Sequence, residues 1–439
     1  MLSAEKNREL TQVAAGTRMG ELLRRYWYPI GAVTELDANP IKPVRLLAED
    51  LVLYRDGSGR YGLLERHCPH RGADLSYGWP EQRGLRCSYH GWLFDECGGC
   101  LAQPFEDTAG PVTRFRQTVR AKAYKVEQKA GLLFAYLGPD PAPLCPNWEL
   151  FEYQDGFRQI VFADIPCNWL QCAENNVDPI HFEWLHNNWS IVQATSTREY
   201  GPEHLRIQVE EWEFGFGYRR VLTGTDEDHD FWKRTRLHLM PGVFMPSGNH
   251  LEYRVPVDER NTLSVIWSFD PVPHEHRPYM QERIPHWHAP IIDPDTGQWI
   301  STHTTNQDTI AWVGQGPIAD RSREHLGRSD VGVVKLRQQL QKDMEAVARG
   351  EDPMGVVRDP EKYKVIRWPH EEPSEVEKSW PMAEWKQRWY QRHALAALSR
   401  DPSDVFPLYA GQPADVRRAF LEAVGLSEEE VRAAAVPAP

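Results

Sequence analysis

Two short strings in this chain offer metal-binding chemistry at a telling spacing. Cys68-Pro69-His70 is followed after 16 residues by Cys87-Ser88-Tyr89-His90, so two loops each present one thiolate and one imidazole. This donor set suits a [2Fe-2S] cluster of mixed ligation, with Cys68 and Cys87 on one iron and His70 and His90 on the other. Neutral imidazoles raise the potential of such a cluster above that of an all-cysteine one. Arg71-Gly72 and Gly91-Trp92 supply tight turns that let backbone amides approach the sulfurs. A structural zinc site accepts the same four ligands and stays open as an alternative. Cys97-Gly98-Gly99-Cys100 has no second pair at metal spacing and reads as a glycine turn between strands. Cys145, Cys167 and Cys172 read as small buried hydrophobes.

A second constellation lies in a helix predicted over about residues 169 to 186, where His181 and His186 stand five apart. A five-residue step in a regular helix turns about 500° and leaves the two side chains about 140° apart. Both reach one metal only if the helix is distorted, and Pro179 and a π-type bulge are the candidate causes. Two imidazoles and one carboxylate form the facial triad of an oxygen-activating Fe(II), which keeps positions open for O2 beside a substrate. Asp308, in Thr305-Asn306-Gln307-Asp308-Thr309, is the expected carboxylate. Asp320 is second choice, with pairing to Arg321 as its plain reading. Asp178, one turn before His181, has three readings: a third ligand, a cap beside Pro179, or, the preferred one, a carboxylate that orients the imidazole. Taken alone, either histidine could equally be a satisfied core residue.

The elements that must position these groups divide into four stretches. A helix over about 9 to 27 forms an N-terminal arm (1–40). Short runs such as Val52-Leu53-Tyr54 and Leu132-Leu133-Phe134-Ala135-Tyr136 predict a small antiparallel β domain (41–140). The stiff segment Gly138-Pro139-Asp140-Pro141-Ala142-Pro143 marks a boundary. An α+β catalytic domain (141–360) follows, with a strand around Tyr253–Val257 and a helix over about 330 to 349. A C-terminal extension (361–439) carries helices over about 379 to 398 and 413 to 435, expected to wrap a neighbouring domain or subunit.

Net charge is −13, from 50 basic and 63 acidic residues, and no basic tract occurs, which argues against binding nucleic acid or an anionic membrane. No apolar run reaches the 18 residues of a membrane span. The start, Met1-Leu2-Ser3-Ala4-Glu5-Lys6, lacks the marks of a secretory signal, so a cytoplasmic protein is expected. Seven cysteines in a chain of 439 residues read as thiols and metal ligands, not as a disulfide framework.

In this order the residues resemble the Rieske non-haem iron aromatic oxygenases, and the likeness runs from Met1 to about Asp359. The resemblance implies an α+β fold: an N-terminal Rieske [2Fe-2S] antiparallel β domain joined to a helix-grip (Bet v1/START-like) catalytic domain. It implies assembly as a homo-oligomer, trimer or hexamer, with Asp178 linking the cluster ligand His90 of one subunit to the iron ligand His181 of the next. Gly20-Glu21-Leu22-Leu23-Arg24-Arg25-Tyr26-Trp27, Arg254-Val255-Pro256-Val257-Asp258 and Gly316-Pro317-Ile318-Ala319-Asp320-Arg321 are similar to the phthalate-dioxygenase branch. Cys167-Asn168-Trp169-Leu170-Gln171-Cys172, with Glu183-Trp184-Leu185-His186, resembles members that O-demethylate lignin-derived biphenyl acids. The segment beyond Asp359 departs from the branch.

The implied activity is mono-oxygenation of a methoxylated aromatic acid, using O2 and NADH electrons from a separate flavin or ferredoxin-type reductase. No flavin or dinucleotide fingerprint occurs in this chain to replace that partner. Arg219, Arg220, Arg234 and Arg236 lie on predicted strands and could clamp an aromatic carboxylate; Arg236 is preferred because Leu237 and Leu239 share its strand. The near alternative is ring hydroxylation of an aromatic carboxylate such as phthalate. The alternative of another class is a Rieske electron carrier without oxygenase activity.

Overall fold

Gly16, in the left-handed region at φ 81°, interrupts the apolar periodicity of the N-terminal segment, and Thr17 caps a new helix by accepting the Gly20 N–H at 3.1 Å. The single helix expected over 9 to 27 is therefore two, Ala4–Thr11 and Arg18–Leu23. Trp27–Ala32 is a fully buried strand, because its continuous apolar run is covered on both sides. The arm drawn at residues 1–40 thus contains a strand of the β domain, and its boundary is corrected accordingly. The computed structural model describes residues 2–109, 114–195, 200–246, 248–369, 380–394 and 404–434.

The N-terminal β domain is built from β1 (Trp27–Ala32), β2 (Ile41–Leu46), β3 (Glu49–Arg55), β4 (Tyr61–Glu65), the short strands β5 (Trp79–Pro80), β6 (Leu85–Arg86), β7 (Leu93–Phe94) and β8 (Cys100–Ala102), then β9 (Ala123–Lys129) and β10 (Leu132–Tyr136). They form an antiparallel six-stranded sheet, β1-β10-β9-β4-β3-β2, and a four-stranded one, β5-β6-β7-β8. Val52, Tyr54, Leu64, Leu75, Leu85 and Phe94 pack between them, and Cys68 and Cys87 sit in that same core. The stiff boundary segment carries no strand.

The second sheet has eight strands: β11 (Gly156–Ile165), β12 (His204–Trp212), β13 (Gly215–Leu222), β14 (Arg236–Leu239), β15 (Val243–Met245), β16 (His250–Pro256), β17 (Thr262–Pro271) and β18 (His286–His288), in the order β12-β13-β14-β15-β16-β17-β11-β18. Among the described residues, only the β11–β18 pairing of this sheet is parallel. Side-chain alternation gives this sheet two buried faces. On one face Ile160, Phe162, Val265, Trp267 and Phe269 join the core that includes Phe134 of β10, and Trp267 donates its indole N–H to the Ala130 carbonyl at 2.8 Å. On the other, Phe157, Val161, Ala163 and Ile266 pack with Trp312, Trp389, Tyr409 and Phe420.

The C-terminal extension therefore covers the catalytic sheet of its own chain. Its expected first helix is Met382–Ala394, with residues 395–398 outside those described. The expected 413 to 435 helix is Ala414–Val424 and Glu428–Ala434, split where Gly425 takes φ 67°. Val331–Ala348 matches the helix expected over 330 to 349.

One buried ion cluster ties the helices together. Glu174 accepts hydrogen bonds from Arg321 at 2.7 Å and from Arg337 at 2.6 Å. Arg321 thus pairs with Glu174, not with its neighbour Asp320, which is exposed and accepts from Ser322 instead. Burial works to raise the Glu174 pKa, but the two guanidiniums win and hold it below the usual carboxylate range. Its contribution to stability is accordingly intact above the ordinary carboxylate pKa and is lost as pH falls through the lowered one. Glu174→Gln should cost about 3–5 kcal/mol in urea denaturation at neutral pH, since two buried charges lose their partner, and the gap to the parent should close in acid.

Two candidate metal centres

The first candidate centre lies at the tips of two loops. Cys68 and His70 follow β4, and Cys87 and His90 lie between β6 and β7. In each loop a glycine with positive φ, Gly72 or Gly91, donates its N–H back to the cysteine carbonyl, at 2.8 and 3.0 Å. This fold-back brings the imidazoles of His70 and His90 within 4.5 Å, centroid to centroid, and Trp92 stacks on His70 at 4.2 Å. Both cysteines are buried, whereas His90 is exposed. Burial pushes the Cys68 thiol up to about 12, and neighbouring Cys87 adds to this against the pull of the His70 and Arg71 N–H groups. Such thiols become thiolates only when a metal displaces their protons. Burial, then the nearby His90 and Arg71 charges, lowers the His70 pKa and favours the neutral imidazole that ligation needs. The donors present therefore fit a two-iron cluster. Cys97 and Cys100 flank a turn in which the Asp95 side chain accepts the Cys97 and Gly99 N–H groups, matching the turn expected there.

The second centre owes its existence to a local change of helix type. The helix expected over 169 to 186 ends at Asn175, a turn passes through Pro179, and Phe182–Asn188 is a π-helix that continues as an α-helix over Trp189–Thr195. Hydrogen bonds from i to i+5 bring residues five apart onto one face, so His181 and His186 face each other with ring centroids 5.1 Å apart. Asp308 comes from the helix Thr304–Gly314. Its Oδ1 lies 3.3 Å from His186 Nε2 and 3.7 Å from His181 Nε2.

Ligand atoms of the three residues lie within 4.8 Å of one another, as those around one metal ion do. Ligands about 2.1 Å from a metal in a facial arrangement stand about 3 Å apart. His186 Nε2 is buried without a hydrogen-bond partner, which is costly unless a ligand satisfies it. Its other nitrogen, Nδ1, lies 3.0 Å from the Gln307 side-chain oxygen, and the Gln307 amide nitrogen donates to Ser190 and to the Ser301 carbonyl. Burial lowers the His186 pKa, but Asp308 and Gln307 outweigh it and raise it overall. Asp320 is not among the three.

Asp178 Oδ2 approaches His181 Nδ1 at 3.7 Å, an electrostatic contact longer than a hydrogen bond, while Oδ1 caps the turn by accepting the Ile180 N–H at 2.9 Å. Burial would raise its pKa; His181 and the Ile180 N–H hold it low. Sequence reasoning missed Gln307, whose only signal is its place beside Asp308. It also missed Arg254, buried on β16, which donates to Glu252 at 2.5 Å and stacks 4.5 Å over Trp312, one helical turn past Asp308.

The four candidate arginines separate clearly. Arg219 pairs with Glu210, Arg220 with Glu183 at 2.8 Å, and Arg234 lies 3.9 Å from Asp230. Arg236 has no ion pair among the described residues. Its guanidinium lies 3.8 Å over the Phe182 ring, with Nη1 buried and unbonded.

A thiolate–imidazole loop pair on one domain and a His-His-Asp set on the next define a class, and comparison with known proteins agrees: the chain belongs to the Rieske non-haem iron oxygenases. Residues 26–120 match the Rieske [2Fe-2S] domain family, and residues 292–401 match the family described as LigXa C-terminal domain like. The chain is 54% identical, over 84% of its length and 87% of the relative's, to the 5,5'-dehydrodivanillate O-demethylase oxygenase subunit of Sphingobium sp. (strain NBRC 103272 / SYK-6). It is 35% identical to the tert-butanol monooxygenase / tert-amyl alcohol desaturase oxygenase subunit of Aquincola tertiaricarbonis, over 81% of this chain and 79% of the relative. It is 31% identical to the phthalate 4,5-dioxygenase oxygenase subunit of Pseudomonas putida, over 81% and 89%. Solved NdmA of Pseudomonas putida CBB5, a QL mutant with theobromine, shares the fold at a TM-score of 0.54 and 20% identity, covering 75% of this chain and 93% of that one.

The protein is thus an enzyme of a family that carries a Rieske cluster and a mononuclear iron and uses O2, and the zinc and electron-carrier readings fall away. The second family match passes through Asp359, so the stretch set apart there begins inside a unit shared with other proteins. No helix among the described residues is long and apolar enough to cross a membrane.

Gln307→Leu keeps the helix but removes the acceptor facing His186 Nδ1. Ferrous-ion titration should show mononuclear iron affinity falling about 10- to 100-fold, the usual effect of losing a partner behind a ligand, with the visible spectrum of the cluster unchanged.

Proposed function

We propose that this chain is the oxygenase component of an O-demethylase acting on a methoxylated, lignin-derived biphenyl acid. The 54% identity to an O-demethylase oxygenase subunit over most of both chains carries the reading. In its balanced form one aryl methyl ether, O2, NADH and a proton give a phenol, formaldehyde, water and NAD+. The methoxy carbon is hydroxylated, and the hemiacetal formed loses formaldehyde. Cys68 and Cys87 would hold one cluster iron and His70 and His90 the other; His181, His186 and Asp308 would hold the mononuclear iron. When bound, these groups supply electron relay and oxygen activation, the electrons coming from NADH through a separate reductase.

The chain's own residues would do the rest. Gln307 orients His186, and Asp178 biases His181. Arg236, with no carboxylate of its own, is the group we assign to the substrate carboxylate. Its place over Phe182, whose ring is 5.4 Å from that of His186, supports this. A homo-oligomer, trimer or hexamer, accords with partly exposed Asp178 and with the exposed aromatics Tyr77, Trp79 and Tyr89 near the cluster loops; there Asp178 would meet His90 of the partner subunit.

Incubation with reductase, NADH and a methoxylated biphenyl acid should release formaldehyde in step with NADH consumed. A ring diol or ring phenol without formaldehyde would replace this reading by ring hydroxylation. Arg236→Leu should raise KM for the acid by about 10- to 100-fold, the effect of losing a charge-assisted hydrogen bond, while a neutral ester analogue should discriminate little between parent and variant.

A further inference from the structure

The helix that carries Asp308 begins without a side-chain cap: His303, at its N-cap, makes no capping hydrogen bond. Its first N–H groups are satisfied from far along the chain. Thr304 N–H donates to the Pro407 carbonyl at 3.1 Å and Thr305 N–H to the Leu408 carbonyl at 2.8 Å. In return the Asn306 side chain accepts the Ala410 N–H at 2.9 Å and donates to the Pro290 carbonyl at 3.0 Å. Asp404 lies 3.2 Å from His303 Nε2, and the fully buried Tyr409 anchors the segment in the core of the catalytic sheet. At Gly411, φ is 83° and an added Cβ would stand 2.7 Å from Pro290 Cδ, so the segment closes tightly on Pro290, whose carbonyl accepts from Asn306. Residues 404–412 lie beyond both family matches, which end at 120 and 401.

The turn so gripped holds two functional groups in succession, Gln307 behind His186 and then Asp308. We propose that residues 404–412 form a strap that caps this helix and positions the carboxylate of the mononuclear iron site, making the C-terminal extension part of the metal centre. The proposal rests on the reading of His181, His186 and Asp308 as the iron ligands. Asn306, Tyr409 and Gly411 are positioning residues: none faces the ligand atoms, and each acts through the first turn of the helix.

The test is ferrous-ion titration of the full chain, with the cluster measured separately by its electron paramagnetic resonance. The parent should bind one mononuclear iron per chain and His186→Ala none; if the parent binds none, or His186→Ala keeps it, the ligand reading fails first. With that reading standing, Gly411→Ala and Asn306→Leu should each raise the iron dissociation constant about tenfold, as for a lost partner of a ligand. They should also alter the resonance of the site's nitric oxide adduct, with the cluster signal at full amplitude. Iron affinity within twofold of the parent in both variants overturns the strap. Where either variant also loses cluster signal, Asp404→Leu decides, because it changes only the strap's first contact: weakened iron binding supports the proposal, and unchanged binding overturns it.

Discussion

An imidazole nitrogen, His186 Nε2, buried against a carboxylate without a hydrogen bond is unfavourable until something satisfies it, and the catalytic half of the molecule is arranged around that constraint. His186 Nε2 lies 3.3 Å from Asp308 Oδ1 and has no hydrogen-bond partner, while Asp308 Oδ1 accepts from the Asn175 side-chain amide at 3.4 Å. Bringing them together requires a π-helical segment on one side and an α-helix on the other. Each helix must in turn be held from behind, because a ligand that drifts by an ångström no longer shares a metal. Gln307 performs this for His186, and the strap at residues 404–412 does it for the helix that bears Gln307 and Asp308.

The eight-stranded sheet reconciles this polar site with a packed interior. One face binds the β domain through Phe134 and Trp267, fixing the thiolate–imidazole loops relative to the sheet. The other face is shared between apolar residues of β11 and β17 and a charged row on β16, where Glu252 and Arg254 neutralise each other. Buried charge is tolerated where it is fully paired, as at Glu174 with Arg321 and Arg337. Arg236 breaks that pattern among the described residues. An unpaired guanidinium beside a metal site is expensive in the resting protein and useful to an anionic substrate.

The two centres differ in how they are built. The cluster loops are local: each donor pair spans a few residues, and one glycine per loop folds the chain back on its cysteine. The candidate mononuclear site is long-range, bringing together residues 181, 186 and 308, with hydrogen bonds to the Asp308 helix from beyond residue 400. A local motif survives in the sequence as spacing; a long-range one survives only as compatible residue types.

That difference marks what was legible. Cys68, His70, Cys87 and His90 were readable together because chelation at short range dictates spacing, and the five-residue step from His181 to His186 even announced a distorted helix, since no regular one aligns them. The β runs and the helices Val331–Ala348 and Met382–Ala394 were readable from periodicity, but not the break at Gly16, which depends on a left-handed glycine and a threonine cap. Asp308 and Arg236 were the sequence's preferences, but only the tertiary structure set that carboxylate against the histidines, left Arg236 alone of the four candidate arginines without an ion pair among the described residues, paired Arg321 with Glu174 across 147 residues of chain, and folded the C-terminal segment over the Asp308 helix. These are facts about which side chains face one another once two faces of a sheet are covered, and a linear pattern of residue types carries no record of distance in space.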